Sequence, residues 1–366
     1  MKSFLGHILT SCPLSAGCLL IAFFSLSIVA CDTDDPMILS PIGPDADKVN
    51  GWILCQGSDG DNNSSLDWFD PNSGTIAQNM FVQTNRRFLG EGATDLLIYG
   101  SKMYISMRGS RTIEVVNASS GRSIRQINLD DRIPLKLASG NGMVYAACTH
   151  PNCIIRIDTT TNSIDTLSPD CMLDDFRPEG ICALGGSLCV SNSWEYLNNY
   201  DTITDSTISI ISTVTFSKLG KLIVGHGPTD IVQIKDSRLA IRCIGDSKHA
   251  PQITVIDITN SKRQTIPIEA DFIAVYRNDI YTLCHSNGTQ LFRINGTTLE
   301  ISPIALPSSV TLQNPSQLYL SPISGDIYIS DAAKRLSPGM LYCLTNHGSL
   351  RWKSFCNIGP VRCLVH

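Results

Sequence analysis

The side chains best suited to hold a ligand lie in two polar segments, and the longer one is rich in aromatic residues. The stretch SNSWEYLNNYDTITDS, residues 191–206, contains Trp194, Tyr196 and Tyr200 among several amides. Aromatic rings stack on flat or sugar-like molecules, and amides orient them by hydrogen bonds. We therefore predict that this loop contacts a small-molecule ligand. The alternative is that it only packs on its neighbour.

The second segment, QGSDGDNNSSLDW from Gln56, offers Asn62 and Asn63. Its Asp59-Gly60-Asp61 run suggests calcium, but a calcium site needs about six or more oxygens at defined spacing. Four histidines, at positions 150, 226, 249 and 285, are expected on one face, each interpreted as a separate surface residue. We predict no metal site.

Catalytic motifs are missing from the sequence. There is no GxSxG, no HExxH and no phosphate-binding loop. We therefore predict a protein that is not an enzyme, with no catalytic residues and no cofactor.

The elements that must position these side chains are short strands. β-branched and aromatic runs recur between Gly, Asn, Asp and Pro, and no sustained helical stripe is present. One phrase, a turn followed by an apolar strand, occurs seven times, as in GATDLLI, RPEGICA and GPTDIVQ. Its second positions fall at residues 93, 134, 178, 228, 270, 315 and 360, which are 41 to 50 residues apart. That period with four short strands per unit is typical of a β-propeller blade.

The two ends of the chain complement each other. GWILCQG from Gly51 matches a second strand, SSLDWFDPNSG a third, and TIAQNMFVQ from Thr75 a fourth, outer strand. The first blade therefore lacks its inner strand, whereas RCLVH at the C-terminus is an inner strand without a blade. We predict an all-β, seven-bladed β-propeller over residues 51–366, closed by the C-terminal strand in blade 1. Closure removes the exposed strand edges of an open array.

A propeller places the start of each inner strand and the end of each second strand on one face, around a central funnel. The fourth position of the repeated phrase is mixed in charge, which disfavours a metal-dependent hydrolase. The alternative is that these residues only line a wet channel and pair with one another. The predicted ligand-binding residues are Gln56, Asn62, Asn63, Asp95, Arg108, Lys136, Arg177, Glu179, Asn192, Trp194, Tyr196, Tyr200, Asp230, His285, Asp331 and Arg362.

The N-terminal segment is predicted to be removed. The apolar run CLLIAFFSLSIVA is short for a membrane span. Its last three residues and the next one, Ile28-Val29-Ala30-Cys31, resemble a bacterial lipobox. Residues 1–30 are interpreted as a lipoprotein signal peptide, Cys31 as the lipidated residue, and residues 31–50 as an acidic, proline-containing tether. An ordinary signal peptide is the alternative. The chain's net charge of −5 gives no reason to bind nucleic acid.

Fourteen cysteines usually suggest disulfides in an exported protein, but here there is no CxxC. Most fall inside strand-like runs, where a buried thiol behaves as a small hydrophobe. We predict mostly free thiols, with Cys148 and Cys153 the two best placed to pair.

Several phrases, among them LGEGATDLLIYGSKMYISM and RPEGICALGGSLCVSNS, resemble the YncE-like, YVTN-type propeller lipoproteins of Bacteroidota. The resemblance covers roughly residues 51–366 and implies a lipid-anchored protein of the outer membrane, on the cell surface. One branch of that group binds cobalamin beside a TonB-dependent transporter, so the resemblance implies a small-molecule ligand, with a cobamide as one candidate. A propeller enzyme of lactonase or quinoprotein type and a protein-interaction or surface-layer scaffold are the alternatives, because fold does not fix function.

Overall fold

The computed structural model describes residues 43–44, 49–167, 177–196, 202–334 and 336–366. The predicted signal peptide and Cys31 lie outside the described residues, as does most of the predicted tether. Within the described part of the chain, no helix is long and apolar enough to cross a membrane.

The chain forms seven four-stranded antiparallel sheets arranged in a ring, which confirms the predicted seven-bladed β-propeller. Blade 1 combines the C-terminal strand with the first three strands of the chain, and it alone is not continuous in sequence. Its strands are β1 (Gly51–Cys55), β2 (Ser65–Phe69), β3 (Ile76–Ala77) and β28 (Pro360–Val365).

The other blades each use four consecutive strands, with the first strand innermost. Blades 2 to 4 contain β4 (Ala93–Tyr99), β5 (Lys102–Met107), β6 (Thr112–Asn117), β7 (Ser123–Asn128); β8 (Ile133–Gly140), β9 (Met143–Thr149), β10 (Cys153–Asp158), β11 (Ile164–Thr166); and β12 (Pro178–Leu184), β13 (Ser187–Tyr196), β14 (Thr202–Ser212), β15 (Lys218–Ile223). Blades 5 to 7 contain β16 (Pro228–Lys235), β17 (Arg238–Cys243), β18 (Gln252–Asp257), β19 (Arg263–Ile266); β20 (Phe272–Tyr276), β21 (Asp279–Cys284), β22 (Gln290–Ile294), β23 (Ile301–Ile304); and β24 (Pro315–Leu320), β25 (Ile327–Asp331), β26 (Pro338–Leu344), β27 (Leu350–Ile358).

The C-terminal strand closes the ring as predicted. β28 pairs antiparallel with β1, with Gly51 opposite Val365 and Ile53 opposite Cys363. Beyond the strands, the backbone amides of Asn50 and His366 each donate to the other residue's carbonyl, at 2.8 and 2.7 Å. The closing strand therefore pairs with β1 from end to end except at a register shift between Pro360 and Arg362.

The hydrophobic core is divided among the blade interfaces. Seven clusters of buried side chains each join two neighbouring blades, because both faces of every sheet pack against another sheet. At the seam between blades 7 and 1, the cluster contains Phe69, Tyr328 and Cys363. The Asp67 carboxylate beside it accepts bonds from the backbone and side-chain amides of Asn357 at 3.0 and 2.8 Å.

Two sequence predictions about local structure are wrong. The stretch from Thr75 to Gln83 was expected to be an outer strand, but it pairs only at Ile76–Ala77 and then forms helix α1, Met80–Asn85. Met80 and Phe81 are buried on this helix, so packing outweighs the strand-like composition. The segment 191–206 was expected to be a loop, but β13 and β14 extend into it, pairing Trp194 with Thr204 and Glu195 with Ile203.

The ten cysteines within the described residues are free thiols. Cys148 and Cys153 are directly opposite each other on β9 and β10, yet they are not joined. Burial raises the pKa of Cys182 to about 11 and that of Cys189 to about 12, as expected for thiols that act as core hydrophobes.

Candidate functional site

The inner strands begin with a backbone irregularity that turns side chains toward the funnel. In blades 1, 2, 3, 4, 5 and 7 the pairing between the inner and second strands shifts register just after the second position of the repeated phrase. A bulge of this kind changes the direction of the next side chain. The pairing of β20 with β21 in blade 6 shows no such shift, and there the phrase is degraded.

A cavity of about 280 Å³ lies where these strand starts converge. Four of the predicted ligand-binding residues line it, namely Lys136, Arg177, Glu179 and Asp230. The other lining residues are Thr94, Leu135, Thr229, Arg242, Phe272, Ile273, Ser316, Gln317, Leu318 and Val361. The cavity is therefore lined from the starts of the inner strands of all seven blades.

One wall of the cavity is an ion pair within blade 5. The Arg242 guanidinium donates to Asp230 Oδ2 at 2.8 Å. Burial disfavours the charged form of Asp230, but the nearby charges of Arg242, Lys136 and Arg362 and the bond from Arg242 outweigh it, so the pKa of the carboxyl is lowered. Asp230 is therefore a fixed negative charge at neutral pH.

A second ion pair forms the wall of the cavity that blade 4 contributes. Arg177 Nε lies 3.1 Å from Glu179 Oε1, and the guanidinium carbon stands 5.0 Å from the centroid of the Trp194 ring. The Trp194 indole N–H donates to the same Glu179 oxygen at 3.1 Å. The three side chains support one another, so Trp194 positions the charged wall.

Lys136 differs from the two arginines. It is half-buried on the cavity wall, and its ammonium pairs with no carboxylate within 4.0 Å among the described residues. Its charge helps to lower the pKa of Asp230. The lining thus contains three cations and two carboxylates, and the cation in excess is a primary ammonium.

Next to the cavity, Asp95 and Arg362 pair with each other. Arg362 Nε lies 3.1 Å from Asp95 Oδ1, and the backbone amide of Leu137 donates to Asp95 Oδ2 at 2.8 Å. The Arg362 and Asp95 atoms are close enough for an ion pair but are not aligned for a hydrogen bond. Asp95 is buried, with only 2% of its surface exposed. Gln317 likewise bonds the backbone N–H and carbonyl of Cys363. These residues join neighbouring inner strands, as the channel-lining alternative expected.

The first-blade segment lies beside a second cavity of about 710 Å³, which Gln56 lines. Asn62 and Asn63 do not line it, and they hold the loop instead. Asn63 Oδ1 accepts a hydrogen bond from the backbone amide of Ser58 at 2.8 Å, and the backbone amide of Asn62 donates to Glu91 Oε2 at 2.6 Å. Arg108 lies 3.8 Å from Asp59 and is largely exposed. The structure therefore separates this group from the first cavity.

Three other predicted residues have structural hydrogen bonds. The buried Asn192 donates to Thr207 and Ser209 within blade 4. The buried Asp331 accepts from the backbone amides of Gln313 and Asn314, both at 2.8 Å. His285 Nδ1 lies 2.9 Å from the Thr289 hydroxyl. None of the three lines the first cavity. Tyr196 lies on β13, and Tyr200 falls outside the described residues.

Sequence reasoning missed Arg242 and three hydroxyl residues of the lining. Arg242 is the penultimate residue of β17, one position before the strand end that was considered. Thr94, Thr229 and Ser316 occupy the third position of the repeated phrase, immediately before the fourth position that was used. A rule that included both neighbouring positions would have found them.

No family model matches this chain, and no curated protein matches it. Several solved structures, however, resemble the chain in fold. A quinonprotein alcohol dehydrogenase-like protein from Bacteroides thetaiotaomicron is 13% identical with a TM-score of 0.62, covering 86% of this chain and 77% of that one. AztD from Citrobacter koseri is 10% identical with a TM-score of 0.56, covering 87% and 97%.

A third structure, virginiamycin B lyase from Staphylococcus aureus, is 16% identical with a TM-score of 0.54, covering 72% of this chain and 84% of that one. At these identities the likeness shows the propeller fold alone. The three names differ in kind, so the function has to be argued from this chain's own side chains.

Proposed function

We propose that this protein is a non-enzymatic binding protein that holds a small acidic molecule in the funnel cavity. The observation that carries the proposal is the half-buried Lys136 ammonium on the cavity wall, which has no ion-pair partner among the described residues. A partly desolvated cation costs free energy unless an anion compensates it. A carboxylate or phosphate group of a ligand supplies that anion.

The two arginines of the lining leave Lys136 as the cation available to an acidic ligand. Both are already paired, Arg242 with Asp230 and Arg177 with Glu179, so their charges are balanced within the protein. The added negative charge of a ligand would therefore face Lys136 first. The carboxylates of Asp230 and Glu179 also repel any second acidic group on the ligand, so a ligand with a single acidic group is favoured.

The rest of the wall favours an apolar body on the same ligand. Leu135, Phe272, Ile273, Leu318 and Val361 contribute apolar surface, while the hydroxyls of Thr94, Thr229 and Ser316 offer orienting bonds. About 280 Å³ is near the lower end of ligand pockets, which span about 300–1,000 Å³. The ligand inside the cavity is accordingly a small metabolite or one end of a larger one.

A cobamide is the specific larger candidate that the resemblance to YncE-like lipoproteins supports. It exceeds the first cavity, so it would lie across the funnel face and reach toward the neighbouring 710 Å³ cavity, which shares Ser316 and Val361 with the first. The lipobox-like Val29-Ala30-Cys31 supports a lipid anchor in the outer membrane, where a TonB-dependent transporter would receive the ligand.

A thermal-shift screen tests the proposal. The purified chain is mixed with aliphatic and aromatic monocarboxylates, their neutral amides, small phosphates, sugars, cobalamin and cobinamide. A ligand at 100 times its Kd stabilises the native state by about 2.7 kcal/mol. We expect acids to raise the melting temperature and their amides to do so less. Equal shifts for acids and amides, or no shift with any compound, would contradict the proposal.

A further inference from the structure

Two histidines and an aspartate converge on the funnel face of blade 5, apart from the cavity lining. His226 precedes β16, and Asp246 and His249 lie in the loop between β17 and β18. One ligand atom from each residue lies within 4.8 Å of the others. The start of an inner strand and the end of a second strand therefore bring together residues that sequence reasoning treated as separate.

The geometry directs both imidazoles at one carboxylate. His249 Nδ1 lies 2.8 Å from Asp246 Oδ1, and His226 Nδ1 lies 3.4 Å from Asp246 Oδ2. The two rings are stacked, with centroids 3.6 Å apart and planes only 3° from parallel. All three side chains are partly exposed, between 26% and 47%, so an ion can reach them from solvent.

The backbone around the cluster is held in place before any ion arrives. The His226 carbonyl accepts from the Gly245 amide at 2.9 Å, which ties the two loops together. Asp246 Oδ1 accepts from the backbone amides of Lys248 and His249 at 2.8 and 2.9 Å. The Thr204 hydroxyl of blade 4 donates to Asp246 Oδ2 at 2.8 Å. This second layer of contacts orients the carboxylate, as in known metal sites.

We propose that His226, Asp246 and His249 form a binding site for a divalent transition-metal ion of the Zn²⁺ class. Imidazole nitrogen and carboxylate oxygen are typical zinc ligands, at about 2.0–2.2 Å from the ion. Tetrahedral ligation at those lengths places ligand atoms about 3.3 Å apart, whereas the present ligand atoms lie within 4.8 Å of one another, so the side chains have to close on the ion. Two nitrogen ligands disfavour Ca²⁺ and Mg²⁺, which prefer oxygen.

Three protein ligands leave one coordination position open. Zinc sites of that kind keep a water or an exchangeable ligand in the fourth position, whereas structural sites are filled by four side chains. The three residues lie next to the start of β16 and the end of β17, and the same strand ends contribute Thr229, Asp230 and Arg242 to the funnel cavity. The site does not depend on the proposed acid binding, because none of its residues lines that cavity.

The test is a competition titration of the metal-free chain with Zn²⁺ against a chromophoric chelator, repeated with Co²⁺ as a spectroscopic probe. We expect one tight equivalent in the wild type. His226→Ala and His249→Ala should each weaken it at least about tenfold, as loss of even a supporting contact costs 10–100-fold. Asp246→Asn keeps an oxygen for the turn amides but removes the charge, and it should weaken binding similarly. Ca²⁺ should not compete.

The matched control is His285→Ala, which removes a histidine at the equivalent strand end of blade 6 and should leave zinc affinity unchanged. Thermal unfolding without metal checks that each variant folds. Wild-type affinity no tighter than that of His249→Ala and Asp246→Asn would overturn the proposal. Equal loss in His285→Ala, or a Co²⁺ spectrum dominated by thiolate charge-transfer bands from the cysteines, would also overturn it.

Discussion

Arg362 of the C-terminal strand is ion-paired with Asp95 of blade 2, with Nε 3.1 Å from Oδ1. The strand that completes blade 1 therefore also supplies the charge that balances a buried carboxylate in the next blade. Asp95 in turn accepts from the Leu137 amide of blade 3. A single carboxylate thus links three consecutive inner strands, and the closing strand is part of the funnel wall.

Deleting residues 361–366 should destabilise the whole ring. The deletion removes the partner of β1, exposes the core around Cys363 and Val365, and leaves Asp95 without Arg362. Burial of one such apolar side chain is worth about 1.5–3 kcal/mol, so a loss of at least about 3 kcal/mol is expected. Denaturant unfolding measures it. His366→Ala, which keeps the backbone, is the control, and equal stability of the deletion and this control would exclude closure by β28.

Gly180→Ala should destabilise the interface between blades 4 and 5. A Cβ at this position would overlap the Thr229 carbonyl oxygen of the next inner strand, and backbone cannot move aside cheaply. Overpacking of this kind costs about 1–3 kcal/mol. Gly186→Ala in the same blade is the matched control, because its Cβ meets nothing within 4 Å. Comparable melting temperatures for the two variants would show that the inner strands do not approach this closely.

The stability contributed by Asp230 should depend on pH in one direction. Its pKa is lowered in the folded protein, so its stabilising interactions are present above its ordinary pKa of about 3.9 and are lost as pH falls further. The stability difference between wild type and Asp230→Asn should be largest near neutral pH and shrink below about pH 4. Urea unfolding over a pH series measures this. A stability difference that stays constant across the pH series would mean that it does not come from the charge of Asp230.

The buried thiols should resist alkylation until the protein unfolds. Burial raises the pKa of Cys343 and of Cys363 to about 12, so very little reactive thiolate forms near neutral pH. Iodoacetamide followed by peptide mass spectrometry should label neither residue in the native protein and both in denaturant. Rapid native labelling of Cys363 would show that the closing strand opens readily.

The repeated phrase was enough to predict the blades because each copy specifies a turn and the inner strand that follows it. The phrase places a turn before an apolar strand, and five inner strands begin at its second position, for example β12 at Pro178 and β28 at Pro360. Where the phrase is degraded, β20 begins later, at Phe272, and lacks the bulge. Local sequence thus predicts both the regular blades and the exception.

The site was only partly predictable, because lining a cavity depends on how neighbouring blades approach one another. Lys136 and Asp230 were identified from strand position alone, whereas Arg242 was missed because it lies one residue before the end of its second strand. Asn192 lies at the expected strand end, but its side-chain amide donates to the half-buried Thr207 and the buried Ser209. The pairing of His226 with His249 joins two loops that are separate in sequence.

The central claim is that the Lys136 ammonium binds the acidic group of a ligand, and calorimetric titration of Lys136→Gln tests it most directly. The acid that most stabilises the wild type in the thermal screen is titrated together with its neutral amide. A hydrogen bond to a charged group is worth about 1.5–3 kcal/mol, so the substitution should weaken acid binding about tenfold or more and leave amide binding nearly unchanged. Lys262→Gln, on an exposed turn of blade 5, should bind as the wild type does. Equal affinity of wild type and Lys136→Gln for the acid would contradict the account.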